Sequence, residues 1–132
     1  MVLIVSSTGE VNIENQNMKI EYDITSGSVN SFTSDTNTTS LIINITATEG
    51  GSLKAILPRK IIDSKHEEQD DIFYLLIDGE ECKFTETTED NQRTLTIPYA
   101  KESRQIEIIG TETINELVTI DEDLALGTML RI

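Results

Sequence analysis

Residues 41–58 have the sequence LIINITATEGGSLKAILP, and this stretch contains the pattern that decides the fold. Every second residue is apolar on both sides of the turn-forming Glu49-Gly50-Gly51: Leu41, Ile43, Ile45 and Ala47 before it, and Leu53, Ala55 and Leu57 after it. Because successive side chains of a β-strand point to opposite faces, this alternation is typical of a strand with one face on the core and one in water. The stretch therefore predicts two half-buried strands.

The same alternation continues in both directions along the chain. Apolar residues take alternate positions in three further stretches: Met18, Ile20, Tyr22 and Ile24; Leu95, Ile97 and Tyr99; and Ile106 and Ile108. About eight or nine short strands between regular turns predict an all-β sandwich or barrel of antiparallel sheets, with almost no helix. We expect six residues to be among the buried ones: Ile20, Tyr22, Ile43, Leu75, Ile97 and Ile108.

The stretch 72–77, IFYLLI, is continuously apolar. It predicts a central strand that is covered on both faces. Asp78-Gly79 follows and predicts a tight hairpin, because glycine accepts the positive φ of such a turn. Cys82 and Phe84 then share a face, so we interpret Cys82 as a small buried side chain. Only Arg59–Lys65 has a pattern that would allow a brief helix.

The length and charge of the chain limit its class. With 132 residues it suits a single domain, residues 1–132. The formal net charge of −14 repels nucleic acid and anionic lipid. Most of the acidic residues are interpreted as a solvated surface. The sequence has no apolar run of about 18 residues or more, so we expect no direct membrane insertion by this chain.

The residue types that catalysis requires are scarce. The only histidine, His66, lies in the acidic run Asp63–Asp71, and the only cysteine, Cys82, has no neighbouring base in the sequence. A nucleophile with an oriented base is therefore not indicated, and ordinary zinc spacings are excluded. Three tyrosines and no tryptophan argue against a sugar-binding cleft. We expect a protein that is not an enzyme and has no cofactor, with calcium as the one ion to consider.

Two acidic segments carry the oxygen ligands that calcium prefers. Glu67, Asp70 and Asp71 lie in the first, and Asp121 and Asp123 lie in the second. Neither segment matches a twelve-residue calcium loop. These five residues are the candidate calcium ligands, and a solvated acidic surface is the alternative interpretation.

Two Asn-x-Ser/Thr sequences predict glycosylation if the chain is secreted. Asn37 begins one of them, in a polar turn, and Asn44 begins the other, on the polar side of a predicted strand. Both sequences favour an extracellular location.

Residues 18–111 contain an ordered set of short motifs. In chain order they are YDITSGSVNS (22–31), TSLIINI (39–45), GSL (51–53), LPR (57–59), ID (62–63), LIDGEE (76–81), RTLTIP (93–98) and IEIIGT (106–111). This set resembles a domain of secreted and cell-surface proteins of ammonia-oxidising archaea, many of which carry a Pro-Glu-Phe-Gly sorting signal. The resemblance implies an Ig-like antiparallel β-sandwich, and it carries no known chemistry over to this chain. Residues 112–132 diverge from the family and are expected to add C-terminal strands.

The functional expectation is a non-catalytic, extracellular structural or interaction domain of an archaeal cell-surface or secreted protein. Its expected partners are other proteins, or copies of itself, at the cell surface. One alternative is a pilus-like filament subunit that assembles by strand exchange through the apolar Val2–Val5 or Met129–Ile132. Another alternative is a calcium-dependent binding module. A self-contained monomer is favoured over a filament, because strongly acidic copies repel each other.

Overall fold

The computed structural model describes residues 6–13, 18–113 and 118–120. Within these ranges the regular structure consists of β-strands alone. The strands are β1 (Ser6–Ile13), β2 (Met18–Thr25), β3 (Gly27–Asp35), β4 (Ser40–Ala47), β5 (Gly51–Pro58), β6 (Ile62–Asp63), β7 (Lys65–His66), β8 (Gln69–Asp70), β9 (Tyr74–Ile77), β10 (Glu80–Glu81), β11 (Thr85–Thr88), β12 (Gln92–Tyr99), β13 (Gln105–Ile109), β14 (Glu112–Thr113) and β15 (Val118–Ile120).

Two antiparallel sheets form the body of the molecule. The first sheet has the strand order β1-β2-β5-β12-β11, and the second has the order β10-β9-β13-β4-β3-β15. The chain crosses between these two sheets after β2, β4, β5, β10 and β12, and the crossing after β5 runs through β6–β8. The predicted fold class, an all-β antiparallel sandwich, is confirmed. Of the fifteen described strands, nine have four or more residues, and these correspond to the eight or nine that the sequence predicts.

The core lies between the sheets and is built from the alternating residues of the long strands. All six residues predicted to be buried are at most 5% exposed: Ile20, Tyr22, Ile43, Leu75, Ile97 and Ile108. The register explains why they meet, since Leu53 lies opposite Ile97 in the first sheet and Ile43 lies opposite Ile106 in the second. Full burial of an aliphatic side chain contributes about 1.5–3 kcal/mol, so these rows supply most of the stability.

The predicted Asp78-Gly79 hairpin is confirmed. Ile77 pairs with Glu80, and the two residues between them have φ values of 51° and 87°. Positive φ at both positions is the signature of a type I′ turn. The Asp78 carboxylate also accepts the backbone N–H of Gln105 at 2.9 Å, which fixes the hairpin to the start of β13.

Two local predictions are wrong, and a third holds in part. The strand predicted over 72–77 begins only at Tyr74, and no described element covers its outer face, so Ile72 is 77% exposed. Arg59–Lys65 forms a turn followed by β6 and the start of β7 in place of the brief helix. The extended backbone at β6 lets Asp63 reach the buried Arg93 on β12. Cys82 faces the core as predicted but is only half-buried.

Candidate functional site

The most heavily buried charges of the described residues form a cluster around Arg93. This residue lies on β12 and is 2% exposed, and its partner Asp63 is 4% exposed. Arg93 Nη1 donates to Asp63 Oδ1 at 3.0 Å, and Arg93 Nε donates to Glu86 Oε2 at 2.7 Å. The guanidinium also lies 4.2 Å from the centre of the Phe73 ring. Burial acts against the charged form, but the hydrogen bonds to Glu86 and Asp63 outweigh it and raise the pKa of Arg93.

A second guanidinium, that of Arg59, extends the cluster to the surface. Its Nη1 and Nη2 atoms donate to the two carboxylate oxygens of Asp70 at 2.7 and 2.9 Å, and Nη1 also contacts Asp63 at 3.2 Å. The hydrogen bonds from Arg59, followed by those from Lys65, hold the pKa of Asp70 well below its usual range. Nε of Arg59 donates to the backbone carbonyl of Glu89 at 3.0 Å.

This cluster fastens residues 59–73 onto the first sheet. Arg93 also donates to the backbone carbonyls of Ser64 and Asp71, so one side chain holds both arms of the segment. In the cluster each carboxylate faces a guanidinium that is permanently charged. The cluster therefore acts as a structural clamp.

The candidate calcium ligands of the first acidic segment do not converge. Glu67 lies in the exposed two-residue turn between β7 and β8, with a φ of 51°. Asp70 pairs with Arg59 and Lys65, and Asp71 Oδ1 accepts the N–H of Ile72 at 2.8 Å. Across the described ranges, no three His, Cys, Asp or Glu side chains form a metal-binding group.

The second acidic segment gives no further information. Asp121 and Asp123 lie outside the described residues, as do Val2–Val5 and Met129–Ile132. Calcium binding and strand exchange therefore both stay predictions.

His66 and Cys82 lie in different parts of the surface. His66 is exposed on β7, as expected for a solvated side chain. Cys82 borders an open groove of about 670 Å³ between the β9–β10 hairpin and residues 98–103. Burial, followed by the charge of Glu81, raises the pKa of the Cys82 thiol, so it is less reactive than a free thiol.

The two glycosylation sequences differ in accessibility. Asn37 is exposed at the turn between β3 and β4, where its backbone N–H donates to Asp35 Oδ1 at 2.9 Å. Asn44 is half-buried on β4, and its Nδ2 donates to Ser31 Oγ at 2.9 Å. The acceptor nitrogen of Asn44 is thus engaged, and Asn37 is the better placed of the two.

The outer face of the first sheet is polar. Two cross-strand rows follow from the register: Glu21, Ile56, Thr94 and Thr87; and Asp23, Lys54, Thr96 and Thr85. Ile56 is the one large aliphatic side chain in these rows. Threonine and charged side chains in such rows are well suited to contact with water.

The outer face of the second sheet is different. Its rows bring Tyr74 beside Ile109, and Leu76 beside Glu107 and then Ile42. Ile72 and Tyr74 are 77% and 47% exposed, and Leu76, Ile109 and Ile42 are half-buried. We call the five apolar residues the outer patch: Ile42, Ile72, Tyr74, Leu76 and Ile109. Contiguous exposed apolar groups of this kind mark interaction sites more often than isolated ones do.

Glu107 lies in the middle of the outer patch. It is directly opposite Leu76 on one side and Ile42 on the other. Its half-buried carboxylate forms no ion pair or hydrogen bond with the part of the chain that the structure describes. This site was not predicted from the sequence. The apolar run 72–77 contained one indication of it, because no described element covers the outward-facing residues of that run.

No helix in the described ranges has the length and apolar character needed to cross a membrane. Comparison with protein-family models, with curated proteins and with solved structures found no match to this chain.

Proposed function

We propose that this chain is a non-catalytic, extracellular structural and interaction domain of an archaeal cell-surface or secreted protein. The observation that carries the interaction role is the contrast between the two outer faces of the sandwich. One face presents threonines and charges, and the other presents the outer patch. A side chain such as Ile72, which is 77% exposed beside an exposed tyrosine, gains free energy when a partner covers it.

A rigid framework supports this role. The β9 and β13 strands that carry Tyr74, Leu76 and Ile109 pair with each other, and β13 pairs with β4. Their inner residues, such as Leu75 and Ile108, are at most 1% exposed. An interaction surface on well-packed strands loses little conformational entropy on binding.

The extracellular location rests on the sequence and on one structural feature. The ordered motifs in residues 18–111 resemble those of archaeal surface proteins. The exposed Asn37 is accessible to a glycosylating enzyme, which is consistent with a glycosylated secreted protein. The acidic surface, with a net charge of −14, would keep such a protein dispersed in salty water.

Labelling of cells tests the location. Antibodies against the folded domain are applied to intact and to lysed cells of the source organism, with a cytoplasmic protein as the control. Labelling of intact cells supports the proposal, and labelling that needs lysis overturns it. Mass spectrometry of the isolated protein gives a second readout, in which we expect a glycan on Asn37 and none on Asn44.

A further inference from the structure

We infer that the outer patch binds a protein segment that offers an arginine or lysine flanked by apolar side chains. This inference rests on the proposed interaction role and names the chemistry of the partner. The juxtaposition that carries it is Glu107 between Ile42 and Leu76, with Tyr74 and Ile109 in the adjoining row.

The Glu107 carboxylate is the first step of the argument. Its two direct cross-strand neighbours are aliphatic, so neither donates a hydrogen bond to it. A partner that covered Ile42 and Leu76 would also remove water from Glu107. Such burial is unfavourable unless the partner supplies an opposite charge. An apolar partner without a cationic side chain is therefore expected to bind this surface weakly.

The other charges of this face point in the same direction. The outward-facing rows of β10, β9, β13, β4 and β3 contain three charged residues, Glu81, Glu107 and Asp35, and all three are acidic. Asp35 is already engaged, since its Oδ1 accepts the N–H groups of Asn37 and Thr38. Glu107, with the more exposed Glu81 beyond Leu76 in the same row, is thus left for a partner.

The same charges argue against a second copy as the occupant. Two copies that meet through this face would place their Glu107 carboxylates in one apolar interface. Each copy also carries a net charge of −14. Like charges that are buried together repel each other strongly, so a cationic partner is favoured over self-association.

Tyr74 refines the choice of cation. It lies opposite Ile109, two residues from Glu107 on β13, which is a diagonal position in the sheet. Diagonal neighbours are about 7–8 Å apart, within reach of one long side chain. An arginine can pair with the carboxylate while its planar group lies on the tyrosine ring, so we expect arginine to be preferred over lysine.

Selection from a peptide library tests the inference. The probe is a phage-displayed library of random twelve-residue peptides, and the bait is the complete chain. We expect the selected peptides to carry an arginine or lysine beside aliphatic or aromatic residues. Their binding should weaken at least tenfold in Glu107→Gln and in Ile72→Ser, and it should also weaken at high salt.

Matched variants on the other sheet provide the controls. Glu21→Gln removes the same charge and Ile56→Ser makes the same replacement, both on the outer face of the first sheet. Binding should be unchanged in both. Selected peptides that are neutral or acidic, or binding that Glu107→Gln leaves intact, would overturn the inference.

The remaining outcomes separate the inference from the proposed function. If the peptides bind the Glu21→Gln or Ile56→Ser variant more weakly than the parent chain, the interaction lies on the outer face of the first sheet. That result overturns the inference and leaves the proposed interaction role standing. A library that yields no binder counts against both. Sedimentation of the unliganded chain as a dimer that Ile72→Ser dissociates would make a second copy the occupant.

Discussion

Replacement of the buried Arg93 by methionine is expected to lower the free energy of unfolding by about 3–5 kcal/mol, the range for breaking a buried ion pair. The variant keeps a similar volume but removes the donors that face Asp63, Glu86 and two backbone carbonyls. Glu86 is half-buried and can turn toward water, whereas Asp63 is 4% exposed and cannot.

The magnitude depends on what Asp63 retains. It still accepts the Ser64 N–H at 2.8 Å and contacts Arg59 Nη1 at 3.2 Å, and these contacts keep the cost inside that range. At about 4 °C per kcal/mol for a domain of this size, the melting temperature should fall by about 12–20 °C.

Urea denaturation followed by circular dichroism measures the change, with the exposed Arg104→Met as the control, for which we expect less than about 0.5 kcal/mol. In the double variant Arg93→Met/Asp63→Asn, the loss should be smaller than the sum of the two single losses by about 1–3 kcal/mol, because no buried charge is left unpaired. If Arg93→Met were as stable as Arg104→Met, the structural role of the cluster would be refuted.

Four further outcomes are expected. Ile97→Ala should lose about 2–5 kcal/mol of stability in the same assay, because Ile97 is fully buried and a cavity remains; a neutral effect would contradict the assigned core. The pKa of Asp70 is lower in the folded than in the unfolded chain, so its contribution to stability is present above about pH 4 and is lost as the pH falls toward the folded pKa. The stability difference between the parent and Asp70→Asn should therefore shrink in acid. A difference that stays constant with pH would argue against the ion pair with Arg59. The Cys82 thiol, with its raised pKa, should react with a chromogenic disulfide at pH 8 more slowly in the folded chain than in urea, and equal rates would be inconsistent with its partial burial. Salt should raise the melting temperature by screening the charge of −14, and calcium should do no more than magnesium at matched concentration; a larger effect of calcium would favour the calcium-dependent module.

Period-two patterns are the reason that the strands and the core could be predicted from the sequence. The alternation in 41–58 specifies which side chains of β4 and β5 face inward without any knowledge of their partners. Arg93 also has the parity of Leu95 and Ile97, which places it on the inner face. Its burial was therefore readable, but its partner Asp63, 30 residues away, was not.

The outer patch depends on information that the sequence does not contain. Ile42, Leu76 and Ile109 become neighbours only through the register of β4, β13 and β9. An apolar run such as 72–77 looks the same whether its second face is covered by another layer or left open. The interpretation as a central strand was wrong for this reason.

Nuclear magnetic resonance of labelled isoleucine and leucine methyl groups tests the central claim most directly. The domain is titrated with a peptide that carries an arginine between valines, and with a matched peptide that carries glutamate at that position. The account predicts that the arginine peptide shifts the methyl signals of Ile42, Leu76 and Ile109 and leaves that of Ile56 unmoved. In the Glu107→Gln variant the same shifts should require at least tenfold more peptide. Shifts centred on Ile56, or equal shifts with the glutamate peptide, would contradict it.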